Sequence, residues 1–173
     1  TGAEVTSEGF QIYGLPPYKY YSAGYACYLS DDNYMQDNHD VWNNSMDVAG
    51  VTNKGVVGFK YFGFEGIKKD SKGVKAFEGI KKGDGAIFNV NLTPGGKGAF
   101  KIHVMLDGPY ANSTWNGKEI AVIEVPADAP RVATTYKVAV PQVEGLNGKH
   151  AIYLVAEGPE IKEEKPAFDP HFR

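Results

Sequence analysis

The sequence predicts an all-β fold, an antiparallel β-sandwich. Three observations predict it. From residue 55 onward, stretches in which apolar and polar residues alternate recur after turn signals, and a period of two is the pattern of a half-buried strand. No long stretch keeps a helical period, while 21 Gly and 10 Pro provide for many tight turns. Aromatic residues make up 13% of the chain, with 11 Tyr, 9 Phe and 2 Trp, a composition favoured in strands. With 173 residues the chain has the length of one domain with a real core. We assign residues 1–158 to a single sandwich and 159–173 to a C-terminal extension or the start of an incomplete last strand.

Taken in order, residues 1–17 are weakly patterned and close on the stiff turn Leu15-Pro16-Pro17. Residues 18–29 read as a strand broken at Gly24. Within them Cys27 lies in the apolar run Tyr25-Ala26-Cys27-Tyr28-Leu29 and is expected to be a buried thiol. Residues 30–47, rich in Asp and Asn without a period, read as a surface loop. In 51–64, Val57, Phe59 and Tyr61 alternate with Gly58 and Lys60, a strand. Residues 65–85 are a polar connection with a short strand at 74–77.

The second half is more regular. Ala86, Phe88, Val90 and Leu92 alternate with Ile87, Asn89 and Asn91, and 94–98 is a turn. In the next strand Phe100, Ile102, Val104 and Leu106 share one face, with Lys101, His103 and Asp107 opposite. A wide loop at 108–119 follows, then a β-branched run to Val125. A turn at 127–133 leads to the alternation of Thr134, Tyr136, Val138 and Val140. A turn at 145–148 precedes the continuous apolar run 151–156. Parity of antiparallel strands places the turns 94–98 and 127–133 at one end and the loops 108–119 and 145–148 at the other. The loop 30–50 joins the first end if 65–85 adds no net reversal.

Composition removes several function classes. A net charge of −3 gives no electrostatic reason to expect nucleic acid. No apolar run approaches the roughly 20 residues that cross a bilayer, so no membrane insertion is expected. One cysteine makes no intrachain disulfide. The start without Met or a signal sequence reads as a mature or excised piece. The four His form neither H-x-H nor H-E-x-x-H, and there is no G-x-S-x-G, so zinc hydrolysis and a serine nucleophile have no motif. His103 and His150 sit on strands as satisfied histidines. A stand-alone glycosidase needs two carboxylates across one bond, and none stands in a recognisable setting.

Five segments carry a resemblance: GVVGFKYFGF (55–64), AIFNVNL (86–92), FKIHVMLDGP (100–109), EIAVIEVP (119–126) and GKHAIYLVAEG (148–158). In order, they resemble the strands of carbohydrate-binding module family 6, the last two most specifically. The resemblance covers about residues 50–158. It implies a jelly-roll, galactose-binding-domain-like sandwich, often with one structural calcium ion. It also implies a non-catalytic module appended to a bacterial glycoside hydrolase, for example of family 43. Such a module holds a covalently linked catalytic domain on plant polysaccharide, a β-linked glycan of xylan or arabinan type. The implied location is secreted, periplasmic or at the bacterial cell surface. Two features depart from the family: no Trp follows the strand at 119–126, where the chain reads ADAPRVATT, and FDPHFR has no counterpart of the family's last strand. The alternative is a structural sandwich that packs on its catalytic neighbour and binds no glycan.

Sugar recognition needs flat aromatic faces for C–H groups and amide or carboxylate edges for hydroxyls. Two clusters supply both. One is Tyr110, Asn112, Trp115 and Asn116, flanked by Asp107 and Lys118; the other is Tyr34, Trp42, Asn43 and Asn44. Each Trp could instead fold back as a lid over the sandwich. For calcium, Asp31, Asp32, Asp37 and Asp40 offer oxygen ligands but lack the Asp-x-Asp-x-Asp-Gly spacing, which favours a solvated loop. Glu4 or Glu8 would serve a calcium site of the family kind.

Overall fold

The computed structural model describes residues 4–6, 9–11, 15, 17, 20–30, 33–37, 46–64, 87–95, 98–140 and 148–159. The chain is all-β with antiparallel strand pairing. A five-stranded sheet holds β3 (Tyr28–Leu29), β6 (Val56–Gly63), β11 (Lys149–Glu157), β8 (Phe100–Leu106) and β9 (Lys118–Val125), in that order. Facing it is the pair β10 (Thr134–Ala139) and β7 (Ile87–Leu92). The pairings nest: β8 with β9, β7 with β10, β6 with β11. Nesting of this kind is a long hairpin folded over into two sheets, the jelly-roll winding.

The core follows from the alternation. Ile102, Val104 and Leu106 of β8, Ile123 and Val125 of β9, and Ile152 of β11 are buried on the inner face. Phe88, Val90 and Leu92 of β7 and Tyr136 and Val138 of β10 pack against them from the other sheet. One irregularity matters later. Val104 pairs with Ala121, but Met105 pairs with Glu119, so Ile120 is an extra residue in β9. The bulge lets Ile120 and Ala121 both enter the core and turns Glu119 to the outer face. Strict alternation would have put residues 119 and 121 on the same side.

The outer face of the large sheet is not simply wet. Met105, Ala151, Tyr153, Val155 and Val56 form a second buried cluster there, with Tyr61 against it. β11 lies between β6 and β8 and is buried on both faces. This explains why residues 151–156 are apolar without alternation. The ends are as parity requires. Asp107 and Gly148 bracket one end, where Asp107 N donates to Ala151 O and Phe64 N to Gly148 O. At the other end Leu92 pairs with Thr134 and Phe100 with Val125. Ser30 and Asn33 lie at that second end, with Ser30 N and Asn33 Nδ2 both donating to Val56 O.

The first third differs from expectation. Among the described residues of this stretch, 20–29, only Tyr28–Leu29 is strand. Ser22 instead caps a 3₁₀ turn at Ala23–Tyr25, its Oγ accepting from Gly24 N at 3.1 Å and Met46 N at 3.0 Å and donating to Met46 O at 2.7 Å. Cys27 is exposed rather than buried, because it lies along the edge of the large sheet, where its N–H donates to Gly58 O at 2.8 Å, and not between the sheets. Residues 30–47 are not all loop, since β4 (Tyr34–Asp37) pairs with β5 (Met46–Ala49). Residues 1–17 contain a further hairpin, β1 (Glu4–Thr6) with β2 (Gly9–Gln11). These ladders are local hairpins of three or four residues a side, too short for a period of two to stand out in the sequence. The segments 74–77 and 160–173 lie outside the described residues.

Tyr153 lies flat against strand β6 because its neighbour there has no side chain. A Cβ on Gly58 would stand 2.6 Å from Tyr153 Cε1, 2.7 Å from Cδ1 and 3.1 Å from Tyr28 Cβ. Gly58→Ala should therefore destabilise the domain by about 1–3 kcal/mol through overpacking. Gly95→Ala, where a Cβ meets nothing within 4 Å, should stay within about 0.5 kcal/mol of the parent. Urea unfolding of the two variants checks the contrast.

Candidate functional site

The loop 107–117 is built on a backbone neck. A Cβ on Gly117 would fall 2.2 Å from Gly108 O, and one on Gly108 2.6 Å from Trp115 O, so both positions admit only glycine. Gly117 N donates to Tyr110 O at 2.8 Å and closes the neck. Asp107, in the left-handed region at φ 63°, is held by β11: Oδ1 accepts from Ala151 N at 3.2 Å and Oδ2 lies 2.8 Å from His150 Nδ1. Asp107 is thus a structural anchor of the loop, turned to β11 and not to the aromatic cluster it flanks in sequence.

The asparagines shape the loop. Asn112 Oδ1 accepts from Thr114 N at 3.1 Å and Trp115 N at 2.9 Å, an Asx cap that turns the chain and presents Trp115. Asn116 adopts φ 53°, which Asn tolerates better than most residues, and its N–H donates to Asn112 O at 2.7 Å. The Asn112 carbonyl oxygen is therefore engaged inside the loop, and its Nδ2 amide is the edge that could meet a hydroxyl.

Trp115 is folded partly back. Its ring stands edge-on to Tyr28 at 5.9 Å and to Tyr153 at 6.3 Å, and Tyr28 and Tyr153 meet at 6.0 Å. Such contacts contribute about 0.5–1.5 kcal/mol each beyond burial. Tyr153 is 3% exposed and forms the floor, while Trp115 remains 37% and Tyr28 36% exposed. So the lid and the exposed platform, posed as alternatives from sequence, are both realised in one residue. Tyr110 is 40% exposed on the same loop, and Tyr34 is exposed on β4. Trp42, Asn43 and Asn44 lie outside the described residues. Tyr28 and Tyr153 were not legible as site residues. They read as strand aromatics, and only the pairing of Tyr28 and Tyr153 with Gly58 brings them together.

A second constellation lies on the outer face at the root of the same loop. His103 Nδ1 is 2.7 Å from Glu119 Oε2, and Nε2 is 2.5 Å from Glu157 Oε2. Burial alone would lower the imidazole pKa, but the hydrogen bonds to Glu157 and Glu119 and their charges outweigh it and raise it above the ordinary value. Glu157 is correspondingly held below the usual carboxylate range, first by the hydrogen bond from His103 and then by its charge.

The fit for calcium is poor among the described residues. No group of three or more His, Cys, Asp or Glu side chains there is disposed to hold a metal ion. Asn33 Oδ1 is buried without a hydrogen-bond partner, beside Thr52 O across Gly55. One amide oxygen is far short of the six to eight oxygen ligands that calcium takes. Asp37 is exposed on β4, and Asp31, Asp32, Asp40 and Glu8 lie outside the described residues.

No family model matches the chain, and no curated protein matches it. Among solved structures it is similar to a glycoside hydrolase family 43 arabinoxylan arabinofuranohydrolase from Bacillus subtilis, solved in complex with cellotetraose. The TM-score is 0.57 at 16% identity, over 90% of this chain and 29% of that one. The chain therefore spans about 29% of the hydrolase's length. It is also similar to a family 6 carbohydrate-binding module from Clostridium cellulolyticum in complex with xylose. There the TM-score is 0.43 at 19% identity, over 79% of this chain and 83% of that one. At these identities the likeness to the hydrolase is one of fold, and the fold is the antiparallel sandwich expected from the strand motifs.

Proposed function

We propose that this chain is a non-catalytic carbohydrate-binding module that holds a linked bacterial glycoside hydrolase on plant polysaccharide outside the cytoplasm. Its ligand is a glycan of xylan or arabinan type. The observation that carries the reading is the half-exposed pair Trp115 and Tyr28, mounted on the buried Tyr153. A sugar ring offers C–H groups to such faces, and the Asn112 amide, whose oxygen accepts from Trp115 N, stands on the same loop for its hydroxyls. The sandwich fold shared with part of a family 43 enzyme supports an accessory role. Glu119 and Glu157 hydrogen bond to one imidazole between them, an arrangement that leaves no gap for a glycosidic bond.

Affinity electrophoresis on xylan, arabinan, galactan and β-glucan tests the reading. Retardation is expected on at least one of the first two, and none on any of the four would remove it in favour of a sandwich that packs on its catalytic neighbour. Trp115→Ala or Tyr28→Ala should weaken binding by about tenfold or more, as for a buried aromatic anchor. Unchanged affinity in both would move the site elsewhere.

Asn112→Ala removes the cap and leaves the Thr114 and Trp115 N–H groups without their acceptor. Binding should fall severalfold with both rings still present, and stability by about 1 kcal/mol. Titration calorimetry and urea unfolding separate the two effects.

A further inference from the structure

Both roots of the Trp115 loop are tied to histidines. Where the loop leaves β8, Asp107 meets His150; where it enters β9, Glu119 meets His103. The two ties differ in what they ask of the ring. His150 meets Asp107 through one nitrogen, which a neutral imidazole can serve with its single N–H. His103 has a carboxylate against each nitrogen, and carboxylates only accept. Both of its bonds exist only while the ring carries two protons.

We propose that His103 is a pH-dependent positioning residue for Trp115: its imidazolium ties Glu119, at the β9 root of the loop, to Glu157 on β11, and loss of one ring proton releases that root. The consequence for glycan binding rests on the function proposed above; the motion of the loop does not. The charged groups facing the ring are Lys101 on its own strand, Glu119 and Glu124 on β9, and Glu157 on β11. Lys101 Nζ lies 3.9 Å from Glu124 Oε1, and its charge also favours ionised Glu157, which it faces across β8 and β11. Deprotonation leaves Glu119 and Glu157 facing a neutral ring, with one of them opposite a lone pair. The outward turn of Glu119, which the Ile120 bulge produces, is what makes the contact with His103.

The direction with pH follows. The folded-state pKa of His103 is raised, so the tie is complete below its ordinary value of 6.5 and is lost as pH rises through the folded value. Glu157 is depressed, so its share is present above 4.5 and is lost as pH falls through its own folded value. The loop is held most firmly between about 4.5 and 6.5.

The chain has 2 Trp, so Trp42→Phe makes Trp115 the sole indole. In that background, acrylamide quenching is measured from roughly pH 5 to roughly pH 9. The quenching constant should rise about twofold through one midpoint above the ordinary histidine value, and His103→Gln should abolish the step. Glu157→Gln, at an exposed position, should lower the midpoint. A flat profile, or a step that His103→Gln leaves unchanged, overturns the proposal. If His103→Gln fails to fold, an unmoved midpoint in Glu157→Gln overturns it alone. Binding to soluble arabinoxylan at roughly pH 6 and roughly pH 8.5 is the second arm, expected to weaken severalfold at the higher value. A quenching step with no glycan bound at either pH upholds the tie and removes the functional reading. A step with pH-independent binding overturns the link between tie and site.

Discussion

The described part of this molecule is arranged around the middle of β11, residues 151–155, being covered on both faces. It pairs with β6 on one side and β8 on the other, sends Ile152 into the space between the sheets, and sends Ala151, Tyr153 and Val155 outward. The inner demand is met by the β7–β10 pair. The outer demand is met by whatever the chain can lay over Tyr153. Gly58 opens the room for the phenol ring, Tyr28 approaches from the edge strand, and Trp115 comes down from the 107–117 loop. The aromatic surface proposed to meet a sugar is therefore also the cover of a core.

That double role explains the half-exposure of Trp115. A fully solvated indole would leave Tyr153 under-covered, and a fully buried one would present no face to a ligand. The three rings are inclined to one another by 63 to 72°, so they form a faceted surface rather than a flat floor. A faceted surface suits a single pyranose or a twisted chain better than a crystalline plane. The loop that bears Trp115 gets its shape from backbone contacts at Gly108 and Gly117 and from the Asn112 cap. Its orientation comes from side chains on β8 and β11. Local shape and global placement thus have separate causes.

Much of this was legible in the residues. The faces of β7, β8 and β10 follow their alternation, and parity puts the loop and turn ends where the structure has them. The unalternating run 151–156 marks the central strand. The failures were of one kind. The segment around Cys27 looked like one strand because apolar residues cluster there, yet Ser22 and Met46 hold Ala23–Tyr25 in a 3₁₀ turn and only Tyr28–Leu29 joins the sheet edge. Asp107 flanks the aromatic cluster in sequence, yet its carboxylate is held by β11, and the carbonyl oxygen of Asn112 caps the loop while its amide nitrogen is left as the edge for a ligand. Short polar side chains serve backbone and ligand equally well, and spacing does not say which.

The amino-acid sequence by itself determined that this is a sandwich of antiparallel strands with an aromatic, amide-rich loop between β8 and β9. Burial of alternate side chains is a local rule and can be read locally. The tertiary structure alone decided which aromatics share a surface and which carboxylates share a histidine. Those outcomes depend on register: a single extra residue, Ile120, turns Glu119 from the core to the face of His103, and the match of Tyr153 with Gly58 sets where Trp115 can rest. Register is a property of a pair of strands, whether consecutive like β8 and β9 or far apart like β6 and β11, so no single strand contains it.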